Sequence, residues 1–110
     1  MNSSGCSAEG MEPFVLRVIG DSMSPEFEDG HIIVVDPGYP LVNGAFAVLD
    51  IEGEILLGQY LRRGAQQWLQ FLNPSHESRE LASFRVKGVV TQRNTRRRKD
   101  TKHYDYPVMP

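Results

Sequence analysis

Two apolar runs on either side of a short polar loop constrain this chain more than any other feature. Phe14-Val15-Leu16-Arg17-Val18-Ile19 is apolar and alternating and breaks at Gly20; an unbroken β-branched run, Ile32-Ile33-Val34-Val35, follows between Asp29-Gly30 and Asp36-Pro37. Such runs, bordered by Gly, Asp and Pro, predict strand, tight loop, strand. The loop contains Gly20-Asp21-Ser22-Met23-Ser24-Pro25. A turn there can hold the Ser22 hydroxyl outward, while Pro25 stiffens the chain behind it by fixing φ. On local composition a serine so placed is a turn former first; as a nucleophile it needs a base beside it.

The stretch from Val18 to Pro37 resembles the serine motif of the LexA/UmuD/phage-repressor C-terminal domains, the S24 peptidases, whose fold is shared with signal peptidases. In that resemblance Ser22 matches the nucleophile, Met23 and Pro25 its flank, and Asp29-Gly30 the turn into the next strand. Phe71-Leu72-Asn73-Pro74 and Val86-Lys87-Gly88-Val89-Val90 resemble the Leu-Asn-Pro and closing-strand motifs of the phage-repressor branch, so the likeness spans residues 14–91. It implies a mainly β, compact coiled structure of short strands with an extended hairpin, dimerising through strands near its C-terminal end. It also implies a setting in transcriptional repression or an SOS-type stress response. Nothing resembling a helix-turn-helix DNA reader precedes the match.

A chain of 110 residues has room for one domain and one modest core. No apolar run approaches the roughly 18 residues that span a bilayer, and the N-terminus lacks the charge and apolar core of a secretory signal. No membrane partner is expected. The single cysteine, Cys6, allows no internal disulfide, which suits a reducing cytoplasm. His31, His76 and His103 are scattered, so no metal is expected, and nothing calls for a cofactor. Residues 1–10 read as a flexible arm, 11–92 as the domain and 93–110 as a basic tail. Charge follows that division: residues 1–92 carry six Lys/Arg against twelve Asp/Glu, net −6, and residues 93–110 six against two, net +4.

Further strands are expected at 45–51 and 54–61, reversing at Glu52-Gly53, then at 67–72 and 83–91, with a polar loop over 75–80. No window has a sustained helical period.

The resemblance implies a second catalytic group, a buried lysine whose lowered pKa supplies a neutral amine. On the family's acidic-apolar-x-apolar-Lys pattern, Glu54-Ile55-Leu56-Leu57-Gly58 puts Gly58 at that position, 36 residues after Ser22. Glycine brings no base, and the amide of Gln59 cannot serve as one. His31 and Lys87 are the substitutes to consider, but neither lies at the matched position. The cleavage segment of the family, a small-residue–Gly bond a few dozen residues before the serine, is not matched by Gly5-Cys6 or by Ala8-Glu9-Gly10.

The expectation is therefore an S24-type domain that does not cut itself and acts as a homodimerising or partner-binding module of a repressor or SOS system. One alternative is an active serine protease using Ser22 with a non-standard base. Another is a nucleic-acid-associated accessory protein, binding weakly and without sequence preference through Arg93, Arg96, Arg97, Arg98 and Lys99, with Tyr104 and Tyr106 available to stack on bases.

Overall fold

A computed structural model describes residues 12–95 and 101–106. The arm assigned to 1–10, Cys6 and the stretch Arg96 to Lys99 lie outside the described residues. The described chain is all strand and loop: β1 Phe14–Arg17, β2 Ile32–Asp36, β3 Phe46–Ile51, β4 Glu54–Arg63, β5 Gln66–Gln70, β6 Arg79–Leu81, β7 Arg85–Asn94 and β8 Lys102–His103. They form one antiparallel sheet in the order β1-β2-β7-β3-β4-β5-β6, with β8 added to β7.

The Glu52-Gly53 turn reverses the chain with both residues at positive φ, and β3 and β4 pair in register from Ile51↔Glu54 to Phe46↔Gln59. From that point β4 pairs with β5, from Gln59↔Gln70 to Arg63↔Gln66, which makes the extended hairpin. β7 joins the two halves of the sheet. Its register against β2 shifts between Val34 and Val35, and against β3 between Val48 and Leu49, leaving Thr91 and Lys87 as the extra residues. Such bulges bend and twist a strand, so one ten-residue strand serves two neighbours that point differently. Gly88 sits at a close approach between β7 and β2: a Cβ there would lie 2.6 Å from Val35 Cγ1.

β3 is buried on both sides. Val48 faces a cluster with Val18, Met23, Phe27, Ile33, Val35 and Val90, whereas Ala47, Leu49 and Ile51 face a second with Tyr60, Leu69 and Leu81. Alternation along a single strand thus divides the core in two. Ser22 belongs to the side of the first cluster and Leu69 to the second.

Most strand ends differ from expectation by one to three residues, and three differences bear on the site. β1 ends at Arg17 rather than 19, because Val18 already closes the loop, and a strand, Arg79–Leu81, begins inside the expected loop over 75–80. β7 runs through Arg93 to Asn94, so the body of the sheet extends past the expected tail boundary at 93, and β8 returns to it.

Candidate functional site

The serine loop is closed at its base by two main-chain bonds, Val18 N to His31 O and Gly30 N to Val18 O, both 2.8 Å. Gly20 and Gly30 take positive φ at the two ends, and Gly20 N donates to Asp29 Oδ1 at 2.7 Å. Inside, Ser24 N donates to Asp21 O and Phe27 N to Met23 O. Met23 and Phe27 are driven into the core, at 1% and 0% exposure, and leave Ser22 half-buried between Met23 and exposed Asp21. Burial of two large apolar side chains, each contributing about 1.5–3 kcal/mol, is what holds so polar a loop in one shape.

The Leu-Asn-Pro turn braces the loop from one side. Asn73 N donates to Ser22 O and Asn73 Nδ2 to Asp21 O, each at 3.0 Å, Leu72 N points at Met23 Sδ, and His76 Nε2 lies 2.9 Å from Asp21 Oδ1. Glu26 is held from the other side, as described below. The loop's four carboxylates, at Asp21, Glu26, Glu28 and Asp29, therefore each have a structural partner.

Ser22 opens into a cleft of about 240 Å³, lined by Leu16 to Ile19 at the exit of β1, by Ile55 to Leu57 at the start of β4, and by Ile33 and Val48. Ile19 and Ile55 stand exposed beside it, at 84% and 50%. Arg17 is the one charged residue of the lining, and a guanidinium offers no lone pair to a proton.

Gly58 does not line this cleft. A Cβ at Gly58 would lie 2.5 Å from Leu69 Cγ and 2.6 Å from Leu69 Cδ1, so position 58 looks into the second cluster. Gln59 spends its amide on Gly44 O at 3.0 Å. His31 Nδ1 accepts the Glu28 main-chain N–H at 3.0 Å, which ties the ring to the loop's closing turn. Lys87 is the exposed extra residue of a β7 bulge. None of these side chains reaches the lining of the Ser22 cleft.

The expected nucleic-acid residues divide. Arg96, Arg97, Arg98 and Lys99 lie outside the described residues, but Arg93 is committed to the fold. Its Nη1 donates to Glu26 O at 2.6 Å and lies 3.6 Å from Glu26 Oε2, with the side chain only 18% exposed. Tyr104 and Tyr106 are likewise engaged: Tyr104 packs on Phe27 and Phe46, with ring centroids 5.5 and 5.6 Å away, and Tyr106 OH donates to Val90 O at 2.8 Å. Neither tyrosine is a free stacking platform. The one signal of this in the sequence is their i, i+2 spacing, which puts both rings on one face of an extended segment. Among the described residues no group of His, Cys, Asp and Glu is arranged to hold a metal, and no helix is long and apolar enough to cross a membrane.

Comparison with known proteins agrees with this architecture. The chain is 39% identical over 64 residues to the prophage repressor CohE of Escherichia coli K12, an alignment covering 56% of this chain and 29% of that protein. It is 36% identical over 87 residues to the HTH-type transcriptional regulators for the conjugative elements R391 of Providencia rettgeri and SXT of Vibrio cholerae, covering 72% of this chain and 40% of each. The chain thus spans less than half the length of these curated relatives. The Peptidase S24-like family matches residues 3–91, the serine loop, the cleft and the closing strand included, and the chain belongs to that family.

Proposed function

We propose that this chain is the S24-like domain of a repressor-type transcriptional regulator in which Ser22 is not a working nucleophile, and that it serves as a self-associating or partner-binding module. The observation that carries this reading is the lining of the Ser22 cleft, apolar apart from Ser22 and Arg17, with the position matching the family's lysine occupied by Gly58 and backed by Leu69. General-base assistance is typically worth about 10²–10⁴-fold in rate, and a serine hydroxyl without it is a poor nucleophile near neutral pH. The names of the relatives, a prophage repressor and regulators of conjugative elements, support a regulatory setting, of which an SOS-type response in the cytoplasm is the natural form.

The experiment supplies a family-type cleavable segment in trans across neutral to alkaline pH and compares the natural chain with Ser22→Ala. Equal, negligible cleavage is expected from both. Cleavage by the natural chain that Ser22→Ala abolishes overturns the reading. The module reading adds that the protein sediments as a homodimer at micromolar concentration, since a small sheet with open edges is prone to pair. A monomer there counts against it.

A further inference from the structure

The last described segment of the chain crosses back over the sheet and fastens the side of the serine loop that Asn73 does not reach. β8 pairs with β7 through Gln92↔His103 and Arg93↔Lys102, while the β3 pairing with β7 ends at Ala47↔Val89. Just beyond β8, Tyr104 OH donates to Glu26 Oε2 at 2.6 Å, and Lys102 Nζ donates to the same oxygen at 2.7 Å. Arg93, from β7, holds the Glu26 main-chain oxygen. Tyr104 also lies against Phe27, the next residue of the loop, and Tyr39 OH accepts Tyr106 N at 3.0 Å and donates to Asp105 Oδ1.

We propose that residues 101–106 are a positioning strap for the serine loop, with Glu26 as the anchor point. The route to Ser22 is short. Glu26 adjoins Phe27, Phe27 N is bonded to Met23 O, and Met23 is the neighbour of Ser22. Charge-assisted hydrogen bonds to one partly buried carboxylate oxygen are the stronger kind, so the strap's grip on the loop is concentrated at one residue. The strap lies beyond residue 91, where the family match ends. It acts on the shape of the cleft's serine side whether or not Ser22 has any chemistry, and so goes beyond the function proposed above.

Amide hydrogen exchange by NMR on the full-length chain tests this, comparing the natural sequence with Tyr104→Phe, Glu26→Gln and Tyr106→Phe. The reporters are the Ser24 and Phe27 amides inside the loop, and the controls are the Gly44 and Tyr60 amides, which bond to each other's segment and not to the loop or the strap. Tyr104→Phe keeps the ring and removes only the bond to Glu26, and it should speed exchange at Phe27 about tenfold with the controls unchanged, as expected for a lost hydrogen bond to a charged group. Glu26→Gln removes the charge that Tyr104, Lys102 and Arg93 all face, so it should speed Phe27 exchange at least as much, and Tyr104→Phe should add less on top of it than it does alone. Tyr106→Phe, which loses a hydroxyl from the same strap but touches nothing in the loop, should leave Phe27 exchange unchanged. Unchanged exchange at Phe27 in Tyr104→Phe, equal acceleration at the controls, or an equal effect from Tyr106→Phe overturns the proposal.

Discussion

Leu69 occupies the space that a side chain at residue 58 would need: its Cγ lies 2.5 Å from the position of a Cβ on Gly58, closer than two non-bonded carbon atoms sit. Leu69 is fully buried on β5, whose neighbour is β4, and the Leu69 side chain fills the hollow left by a residue with none. Glycine at 58 and leucine at 69 are complementary in volume, and changing one alone breaks the packing.

Restoring the family's lysine by Gly58→Lys should therefore destabilise the chain by about 1–3 kcal/mol, the usual range for overpacking a core, and should not create cleavage activity. Leu69→Ala alone should cost about 2–5 kcal/mol as a cavity. The double variant should be more stable than the sum of the two predicts, because each change relieves the other's fault. Urea denaturation of the four proteins, followed by Trp68 fluorescence, measures the coupling; strictly additive effects would mean that the two positions do not compete for space.

How far the sequence discloses this site depends on whether the deciding contacts are local. The serine loop and its flanking strands are legible because the β-branched run Ile32–Val35 and the Gly20 and Asp29-Gly30 borders act over a few residues. The matching of Ser22 and Gly58 to the family's serine and lysine positions rests on the same kind of short motif. The direction in which position 58 looks is not, since it is set by pairing with Ala47 on one side and by Leu69 across the sheet. Nor is β6, whose Arg-Glu-Leu carries no alternation and is a strand only because β5 offers it an edge. The strap is hidden for a different reason: basic residues 96–99 give its neighbourhood the composition of a solvated tail, while the tyrosines behind them find Phe27 and Phe46 in the core.

The grip on Glu26 has a pH signature. Burial pushes its carboxyl upward, but the hydrogen bonds from Lys102 and Tyr104, with the charges of Lys102 and Arg93, outweigh it and hold the group below the ordinary value of 4.5. A depressed folded-state pKa means a stabilising contribution that is full above the unfolded value and is lost as pH falls through the folded one. Comparing the unfolding midpoints of the natural chain and Glu26→Gln from pH 7 down to 3 should show the natural chain ahead at neutral pH and the gap closing below about pH 4.5. A gap independent of pH would mean that the carboxylate charge is not what the strap holds. At the alkaline end, burial and the bond to Glu26 raise Tyr104, and burial raises Tyr106, so the strap keeps both hydroxyl protons through a cleavage assay at moderately high pH.

Any nucleic-acid binding should be assigned by neutralising Arg96, Arg97 and Arg98 rather than by deleting residues 93–110. The deletion would also remove Arg93 from Glu26, the end of β7 and the whole strap, so lost binding would be indistinguishable from a damaged fold. If these arginines meet phosphates, weak binding at low salt should fall steeply as salt rises, and the slope of log affinity against log salt should flatten by about one for each contact removed. Arg93→Ala should instead lower stability and leave that slope unchanged. A slope that responds to Arg93 and not to the other three would reverse the assignment.

Asn73 provides the last test, on the opposite side of the serine loop from the strap. Its side chain donates to Asp21 O and accepts Ser75 N at 2.9 Å, so it shapes its own turn and ties that turn to the residue before Ser22. Asn73→Ala removes both bonds but leaves the main-chain bond from residue 73 to Ser22 O available. With a net contribution of about 0.5–1.5 kcal/mol for each hydrogen bond, the variant should lose about 1–3 kcal/mol. His76→Ala removes an exposed contact to Asp21, for which about 0–1 kcal/mol is the usual range, together with an edge contact to the half-buried Phe71 ring. Chemical denaturation should rank the two in that order. If His76→Ala costs as much as Asn73→Ala, the Asp21–His76 pair, and not the asparagine, is the principal brace between the turn and the serine loop.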